Sequence, residues 1–434
     1  MSLKENEMFV RVGAETPMGR LLRRYWLPVT TSEELEAAGA PQQVRLLGED
    51  LVAYRSPDGT VGLVGEHCPH RGASLALARN IDCGLECIYH GWQIDRGGVI
   101  LSTPAEPEKS RFKDQFRHTS YSILEAGGLV WCYMGPVDKQ PDPPQWPFLD
   151  VPASHSLFAR AAVKCDWTQS VEGAIDSAHQ TYLHDARSRI ARDTAHVERI
   201  EREGGDLVDG FDESGQIVRP WNDGRPSLKV ETTDYGFRYA AIRKPMIRED
   251  ELKNVRVSHF FAPGYVVIPG PEGWAQLLMH VPIDDDSTMF WHVRSNLHEP
   301  YSDEDRSVHL TAAGLVPGVD IDSSYRRVAS RENRWLQDRD EMRFGDRLSG
   351  IHGTVNEDHA VQESMGPRYD RTKEHLGTSD MAVIRFRRMM IAAAVEHDKT
   401  GVAIGIGFEA KQASARGEDQ TIPIEAPWES VGVR

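Results

Sequence analysis

The chain has 434 residues, of which 40% are hydrophobic and 27% are charged, and its formal net charge is −16. This length and composition predict a globular protein of two or three domains, each large enough to have its own core. The negative charge argues against nucleic acid or an anionic membrane as a partner, because both bind clustered positive charge.

The cysteines and the amino terminus indicate the compartment. The chain has five cysteines, and the three that are not assigned to a metal below, Cys83, Cys132 and Cys165, show no paired spacing. A reducing compartment fits them better than a disulfide scaffold. No apolar run approaches the ~18 residues of a membrane-spanning helix, and residues 1–7 are polar where a signal peptide would be basic and then apolar. We therefore expect a soluble, cytoplasmic protein.

The first third of the chain is predicted to begin with two short helices, 17–25 and 32–38, and to continue as short strands over residues 42–133. Turn residues separate these strands, including Gly48 at the centre of a hairpin over residues 44–54, Pro57-Asp58-Gly59, Gly97-Gly98 and Gly127-Gly128. This pattern predicts a small all-β domain. The predicted domain bounds are an N-terminal helical segment 1–40 that packs on the C-terminal domain, the all-β domain 41–135, a Pro-rich linker 136–152 and the C-terminal domain 153–434.

Two short motifs in the all-β region supply two thiolates and two imidazoles, namely Cys68-Pro-His70 and Cys87-Ile-Tyr-His90. Two cysteines on one iron and two histidines on the other make a Rieske-type [2Fe–2S] cluster, which transfers single electrons at a raised potential. A Cys₂His₂ zinc site is the alternative. The order favours the cluster, because each motif carries one Cys and one His, whereas a zinc finger pairs like with like. Cys83, close to the second motif, is interpreted as a small buried or spare thiol.

Beyond the linker the pattern becomes α+β. A helix is predicted over 166–184, and late helices are predicted over 359–365 and 381–397. Strands are predicted between them over 227–242, 255–268, 275–281 and 288–295. Strands in the middle with helices at both ends predict an antiparallel sheet wrapped on a long helix, a helix-grip fold with an enclosed cavity.

A second group of metal-binding residue types lies in the first of these helices. On an ideal helix Glu172, Asp176 and His179 share one face, while His184 lies roughly 140° from His179, so the helix must end or bulge if both bind one metal. Two histidines lack only a carboxylate to form the facial triad of mononuclear non-haem Fe(II) oxygenases. We choose Asp358 as that carboxylate. Taken alone, the histidine pair could equally be polar surface residues.

Basic residues beside the predicted cavity are candidates for binding a substrate carboxylate. Arg243 and Lys244 end a predicted strand, and a guanidinium pairs with a carboxylate through two parallel hydrogen bonds. Arg187, Arg189 and Arg202 are weaker candidates.

Taken together, these motifs resemble those of the oxygenase component of Rieske non-haem iron ring-hydroxylating dioxygenases, and within that family the chain is most similar to the phthalate dioxygenase group. The likeness covers nearly the whole chain. Its motifs are Thr16-Pro-Met-Gly-Arg, Arg24-Tyr-Trp-Leu-Pro28, Cys68-Pro-His70-Arg-Gly, Cys87-Ile-Tyr-His90-Gly-Trp, Glu172-Gly-Ala-Ile-Asp176-Ser-Ala-His179, Leu183-His184, Asn356 to Gly366 and Glu374 to Asp380.

The resemblance implies an N-terminal all-β Rieske [2Fe–2S] domain and a C-terminal catalytic domain. It implies a Rieske cluster held by Cys68, His70, Cys87 and His90, and a mononuclear Fe(II) held by His179, His184 and Asp358. It also implies a trimer or a pair of stacked trimers, because in this family electrons pass between neighbouring subunits. Asp176 matches the aspartate that bridges a cluster histidine and an iron histidine across the interface.

The implied reaction is cis-dihydroxylation of an aromatic carboxylate such as phthalate, isophthalate or a similar benzoate. It uses O₂ and electrons from NADH, which a separate flavin and iron–sulfur reductase supplies. Monooxygenation or O-demethylation of another aromatic acid is an alternative within the class. A Rieske electron carrier would leave some 280 residues without a task, and a structural zinc protein would explain only the first two motifs.

Overall fold

A computed structural model describes residues 1–203, 223–246 and 248–432. The chain forms two compact units. The smaller unit comprises Arg11–Pro144 and Val281–Asp285, and the larger unit comprises Met1–Val10, Gln145–His280 and Asp286–Arg434. The domain bounds stated above stay predictions, but the structure divides the predicted segment 1–40 between the two units.

The buried guanidinium of Arg23 connects residues near the start of the smaller unit to the hairpin around Gly48. It donates hydrogen bonds to the carbonyls of Val12 and Leu47 and to the carboxylate of Glu49. Residues 11–40 thus belong to the all-β part, whereas α1 (Leu3–Val10) belongs to the larger unit.

Short antiparallel strands build the smaller unit, as predicted. They form three sheets with the orders β1-β10-β9, β2-β3-β4 and β5-β6-β7-β8. Their bounds are β1 Trp26–Thr31, β2 Gln42–Leu46, β3 Glu49–Arg55, β4 Val61–Gly65, β5 Arg79–Ile81, β6 Gly84–Glu86, β7 Gln93–Ile94, β8 Ile100–Ser102, β9 Ser122–Ala126 and β10 Leu129–Tyr133.

The predicted hairpin around Gly48 is confirmed. Leu46 pairs with Glu49 across a two-residue loop in which Leu47 has φ 50° and Gly48 has φ 82°. Two consecutive left-handed residues make the mirror-image turn whose twist matches that of a β-hairpin, which is why glycine is favoured there.

The predicted helices of this region are only partly present. Helix α2 (Pro17–Leu22) is shorter than the predicted 17–25, and its N-cap Thr16 accepts a hydrogen bond from the amide of Gly19. The predicted helix 32–38 is wrong, because only a 3₁₀ turn forms over Ser32–Glu34. Ala38 has φ 58°, which a helix cannot contain.

An antiparallel sheet of eight strands forms the centre of the larger unit within its described residues. Its order is β11-β17-β16-β15-β14-β13-β12, and β18 pairs with β14. The bounds are β11 Ser156–Val163, β12 Ser227–Thr233, β13 Gly236–Arg243, β14 Leu252–Phe261, β15 Tyr265–Val267, β16 Trp274–Pro282, β17 Thr288–Asn296 and β18 Glu418–Pro423. The predicted single run 227–242 is therefore a hairpin, and the prediction missed β11 and β18.

Helices surround this sheet and carry the residues discussed below. They are α3 Trp167–Ile175, α4 Gln180–Leu183, α5 Arg187–Glu203, α6 Asp303–Ala313, α7 Arg339–Phe344, α8 Thr354–Ser364, α9 Met381–Thr400 and α10 Ala410–Ser414. The predicted late helices are confirmed, although α8 begins five residues before 359. None of the described helices is both long and apolar enough to cross a membrane.

The long helix α9 packs on the sheet through Phe386, which is fully buried. Its ring lies 5.1 Å from Phe260 of β14, 5.8 Å from Trp167 of α3 and 5.2 Å from Phe9 of α1, measured between ring centres. This contact confirms the predicted helix gripped by an antiparallel sheet.

A buried ion network fixes α3 to the C-terminal part of the unit. Arg371 and Asp166 are both fully buried at their side chains, and Arg371 Nη2 lies 3.4 Å from Asp166 Oδ1. Arg371 Nε and Arg387 Nε both reach Glu172 Oε1, at 3.2 and 2.7 Å, and Arg387 also pairs with Glu374. Glu172 thus serves the structure of the unit.

We expect Arg371→Met to lower the free energy of unfolding of the larger unit by about 3–5 kcal/mol, because it leaves the buried Asp166 carboxylate without its cationic partner and removes one of the two guanidinium groups that pair with Glu172. Urea denaturation followed by far-UV circular dichroism measures this loss. The control is Lys373→Met, since Lys373 is 79% exposed and pairs with Asp370 at the surface; it should change stability by less than about 1 kcal/mol. Equal effects of the two changes would contradict this role of Arg371.

Candidate metal centres

Two similar turns hold the Cys and His residues of the smaller unit. In the first, the Cys68 amide donates to the Ala73 carbonyl at 2.8 Å and the Gly72 amide donates to the Cys68 carbonyl at 2.8 Å. In the second, Cys87 and Gly91 repeat this pattern at 2.8 and 2.9 Å. Both glycines are left-handed, with φ 73° and 70°, which explains glycine at these positions.

These turns bring the four predicted side chains together. The rings of His70 and His90 lie 4.4 Å apart, and His70 stacks on Trp92 at 4.8 Å. Cys68 and Cys87 are 3% and 2% exposed. Burial raises the pKa of the Cys68 thiol to about 11, and the neighbouring Cys87 thiol adds to the rise.

The donor set fits a [2Fe–2S] cluster. His70 Nδ1 is buried and has no hydrogen-bond partner among the described residues, so it is available to bind a metal. The buried Cys68 thiol, whose pKa is raised, likewise needs adjacent positive charge to become a thiolate. Cys83, by contrast, is exposed, so the interpretation as a buried thiol is wrong and it is a spare one.

The second group of predicted ligands lies where α3 ends. The predicted continuous helix 166–184 is wrong: α3 ends at Ile175, Asp176 is extended with ψ 112°, and α4 ends at Leu183. Because of this break, Glu172 and His179 do not lie on one helix, so the predicted face shared by Glu172, Asp176 and His179 is wrong. The helix does end before His184, as a common metal for the two histidines requires.

Three ligand atoms converge at this break. His179 Nε2 lies 3.1 Å from His184 Nε2, and Asp358 Oδ1 lies 3.3 Å from the first nitrogen and 3.1 Å from the second. Ligands at right angles on a metal with bonds of about 2.1 Å are about 3 Å apart. Two imidazoles and a carboxylate on one face of this point fit a mononuclear iron with open positions.

Helix α8 reaches this point because it packs closely on α3. At this contact Gly173 of α3 lies against the Gln362 side chain of α8, whose amide end a larger side chain at Gly173 would have to displace.

The carboxylates around His179 determine its charge. Burial alone would lower the pKa of His179, but the nearby carboxylates of Asp176 and Asp358 raise that pKa to about 9. Asp176 Oδ2 lies 3.6 Å from His179 Nδ1, and Asp176 Oδ1 accepts the Ala178 amide at 2.7 Å. The Asp176 side chain remains 28% exposed, so it also reaches solvent.

One residue of this site was missed by the sequence reasoning. Glu357 Oε2 lies 2.7 Å from His184 Nδ1, and both side chains are buried. The available signal was its position directly before Asp358, at the start of a helix that carries a proposed ligand.

The candidate carboxylate-binding residues are separated by the structure. Arg243 is buried, and its Nη2 donates to the Ser177 carbonyl at 2.6 Å, two residues from His179. Lys244 is 68% exposed and lies 3.5 Å from Glu249. Arg187 and Arg202 are exposed, and the side chain of Arg189 lies outside the described residues.

Two family profiles, one for each part of the chain, match most of the sequence. A profile described as Rieske [2Fe-2S] domain matches residues 25–121, and one described as LigXa C-terminal domain like matches residues 132–434. The first match supports the cluster over a zinc site. The second excludes a carrier that consists of a Rieske domain alone.

Curated relatives match over most of their own length. The chain is 39% identical to the phthalate 4,5-dioxygenase oxygenase subunit of Pseudomonas putida, over 94% of this chain and 89% of the relative. It is 32% identical to the 3-chlorobenzoate-3,4-dioxygenase oxygenase subunit of Comamonas testosteroni, over 98% and 96%. It is 29% identical to the 5,5'-dehydrodivanillate O-demethylase oxygenase subunit of a Sphingobium species, over 90% and 80%.

A solved structure shows the same fold. Pseudomonas putida NdmA with caffeine matches with a TM-score of 0.59 at 18% identity, over 88% of this chain and 94% of that chain. The chain therefore belongs to the Rieske non-haem iron ring-hydroxylating oxygenases, in the phthalate dioxygenase group, whose oxygenase components contain a Rieske [2Fe–2S] cluster and a mononuclear iron and receive electrons from a reductase.

Proposed function

We propose that this oxygenase component cis-dihydroxylates an aromatic carboxylate, namely phthalate, isophthalate or a similar benzoate. The observation that supports this proposal best is the convergence of His179, His184 and Asp358. The buried Arg243 lies close by, because it donates a hydrogen bond to the carbonyl of Ser177, two residues before His179. Two relatives that match over more than nine tenths of this chain are named for dioxygenation of phthalate and of 3-chlorobenzoate, which are both aromatic acids.

Each group of residues has one proposed role. Cys68, Cys87, His70 and His90 hold the cluster, and His179, His184 and Asp358 hold the mononuclear iron. When bound, the cluster supplies single electrons and the mononuclear iron supplies the reductive activation of O₂. The protein orients the ligand rings, excludes water and places the substrate.

Arg243 is the proposed partner of the substrate carboxylate. Its side chain is 3% exposed, and no ion pair to a carboxylate is found for it among the residues that the structure describes. Burial lowers the pKa of Arg243, and the nearby Arg256 lowers it further. An incoming carboxylate would offset both effects, which supports an anionic substrate over a neutral one.

We expect Arg243→Ala to raise the KM for the aromatic acid by about 10- to 100-fold, since a charge-assisted hydrogen bond contributes about 1.5–3 kcal/mol. Lys244→Ala should raise it less, because Lys244 is largely exposed. Steady-state kinetics with iron content measured in parallel separates lost substrate binding from lost metal. An unchanged KM in Arg243→Ala would exclude the role.

We further propose a homotrimer, or two stacked trimers, in which Asp176 lies between His179 and a cluster histidine of the neighbouring subunit. The 28% exposure of Asp176 supports a partner outside the chain. Electrons would come from NADH through a separate flavin and iron–sulfur reductase. The three cysteines outside the proposed cluster, Cys83, Cys132 and Cys165, form no disulfide among the described residues and fit a reducing compartment, so we assign the protein to the cytoplasm.

O-demethylation of an aromatic acid is the second candidate, because one relative is named for the O-demethylation of dehydrodivanillate. Product analysis decides between the two. The purified protein with a matching reductase is incubated with phthalate, isophthalate, 3-chlorobenzoate and a methoxybenzoate under O₂. A cis-dihydrodiol from one of the first three supports the proposal, and formaldehyde from the methoxy acid alone would replace it with the second candidate.

A further inference from the structure

Glu357 lies directly behind a proposed iron ligand. Its Oε2 is 2.7 Å from His184 Nδ1, and the two side chains are 6% and 7% exposed. The two residues are 173 positions apart in sequence, so this contact is formed by the tertiary fold and not by local chain geometry.

The contact determines which nitrogen of His184 is available to a metal. His184 Nε2 faces Asp358 Oδ1 and His179 Nε2, each at 3.1 Å. An ionised carboxylate can only accept a hydrogen bond, so a proton on Nδ1 is favoured by Glu357. The lone pair of Nε2 is then directed toward the other two ligand atoms.

Glu357 is itself held in place from its other side. Its Oε1 accepts a hydrogen bond from Ser349 Oγ, which in turn accepts the Ile351 amide at 3.1 Å. The Ser349 carbonyl accepts a hydrogen bond from Gln337 Nε2 at 2.8 Å. The carboxylate therefore has a fixed orientation before any metal binds.

His184 and Glu357 both line a groove of about 460 Å³ between α6, α8 and the chain that follows His184. The contact between their side chains restrains the rotation of the His184 ring.

We propose that Glu357 is a positioning residue of the iron centre, which fixes the tautomer and orientation of His184 and so sets the affinity of the site for its metal. The proposal rests on the proposed role of His184 as a ligand. Glu357 and Asp358 are consecutive on α8, so one turn of helix would supply a ligand and the partner of another ligand.

The test is titration with Co²⁺ of protein that keeps its cluster but has lost its mononuclear iron, followed by the visible absorption of bound Co²⁺. We expect Glu357→Leu to weaken binding by about 100-fold and Glu357→Gln by about 10-fold, because the amide oxygen can still accept from Nδ1 while the charge is lost. The shape of the Co²⁺ spectrum should change in Glu357→Leu. A role in stability alone would leave both the affinity and the spectrum of the folded protein unchanged.

Controls separate this inference from the proposed function. Glu396→Gln and Glu396→Leu make the same changes at an exposed position of α9 and should bind Co²⁺ like the unaltered protein. If His184→Ala also binds Co²⁺ normally, the proposed iron site is wrong. If His184→Ala loses Co²⁺ while Glu357→Leu and Glu357→Gln bind it normally, only the role of Glu357 is overturned. If the Glu357 variants do not fold, Ser349→Ala decides: weaker binding supports the role, and unchanged binding overturns it.

Discussion

We expect Cys87→Ala to remove the brown colour of the purified protein and to lower its iron content from about three atoms per chain to about one. Cys87 is 2% exposed and lies in the turn closed by Gly91. Alanine at this position offers no thiolate to the iron, and no other thiol is held in that turn. Visible absorption, electron paramagnetic resonance of the reduced protein and iron analysis measure the loss.

Cys83→Ala is the matched control, because Cys83 lies four residues away in sequence but is exposed. We expect this variant to keep its colour, its iron and its activity. Loss of the cluster in Cys83→Ala together with its retention in Cys87→Ala would reverse the assignment of the two thiols.

Asp176→Asn should keep the iron of both centres but lower the coupled turnover by about 100-fold or more. The Asp176 carboxylate lies 3.6 Å from His179 Nδ1 and remains partly exposed. In the proposed trimer its exposed side accepts a hydrogen bond from a cluster histidine of the neighbouring subunit. An asparagine keeps the shape but loses the negative charge that fixes both rings.

Single-turnover kinetics measures this effect directly. The reduced protein is mixed with O₂ and substrate, and reoxidation of the cluster is followed by its absorption. Reoxidation should be slow in Asp176→Asn and normal in Asp138→Asn, which makes the same change at an exposed position of the smaller unit. Normal reoxidation in Asp176→Asn would remove Asp176 from the electron path.

The sequence predicted the architecture where the pattern was strong. The Gly48 hairpin, the central antiparallel strands and helix α9 follow from turn residues and apolar periodicity, and all are present. Strand β18, Glu418-Asp-Gln-Thr-Ile-Pro423, is mostly polar and exists because β14 offers it an open edge. Pairing with a partner so distant in sequence leaves no local signal.

The candidate iron site, too, could be predicted from the sequence only in part. The short motifs were enough to propose His179, His184 and Asp358 as iron ligands, because few residue types can bind iron. The break at Asp176 was not predicted, since residues 166–184 contain no proline and the single glycine, Gly173, lies within α3 and not at its end. Glu357 was missed because a carboxylate that holds a ligand resembles any other buried acid until the fold places it beside His184.

The two proposed centres differ in how far apart their ligands lie in the sequence, and this difference affects the order in which the centres can form. All four side chains of the cluster site lie within residues 68–90, in two turns closed by their own backbone hydrogen bonds. The proposed iron site brings residue 184 together with residue 358, so it requires a contact between segments that are distant in the sequence. Contacts between distant residues form late, because closing a long loop costs entropy first. During synthesis the first centre can therefore be ready to accept metal before the ribosome has made the last ligand of the second.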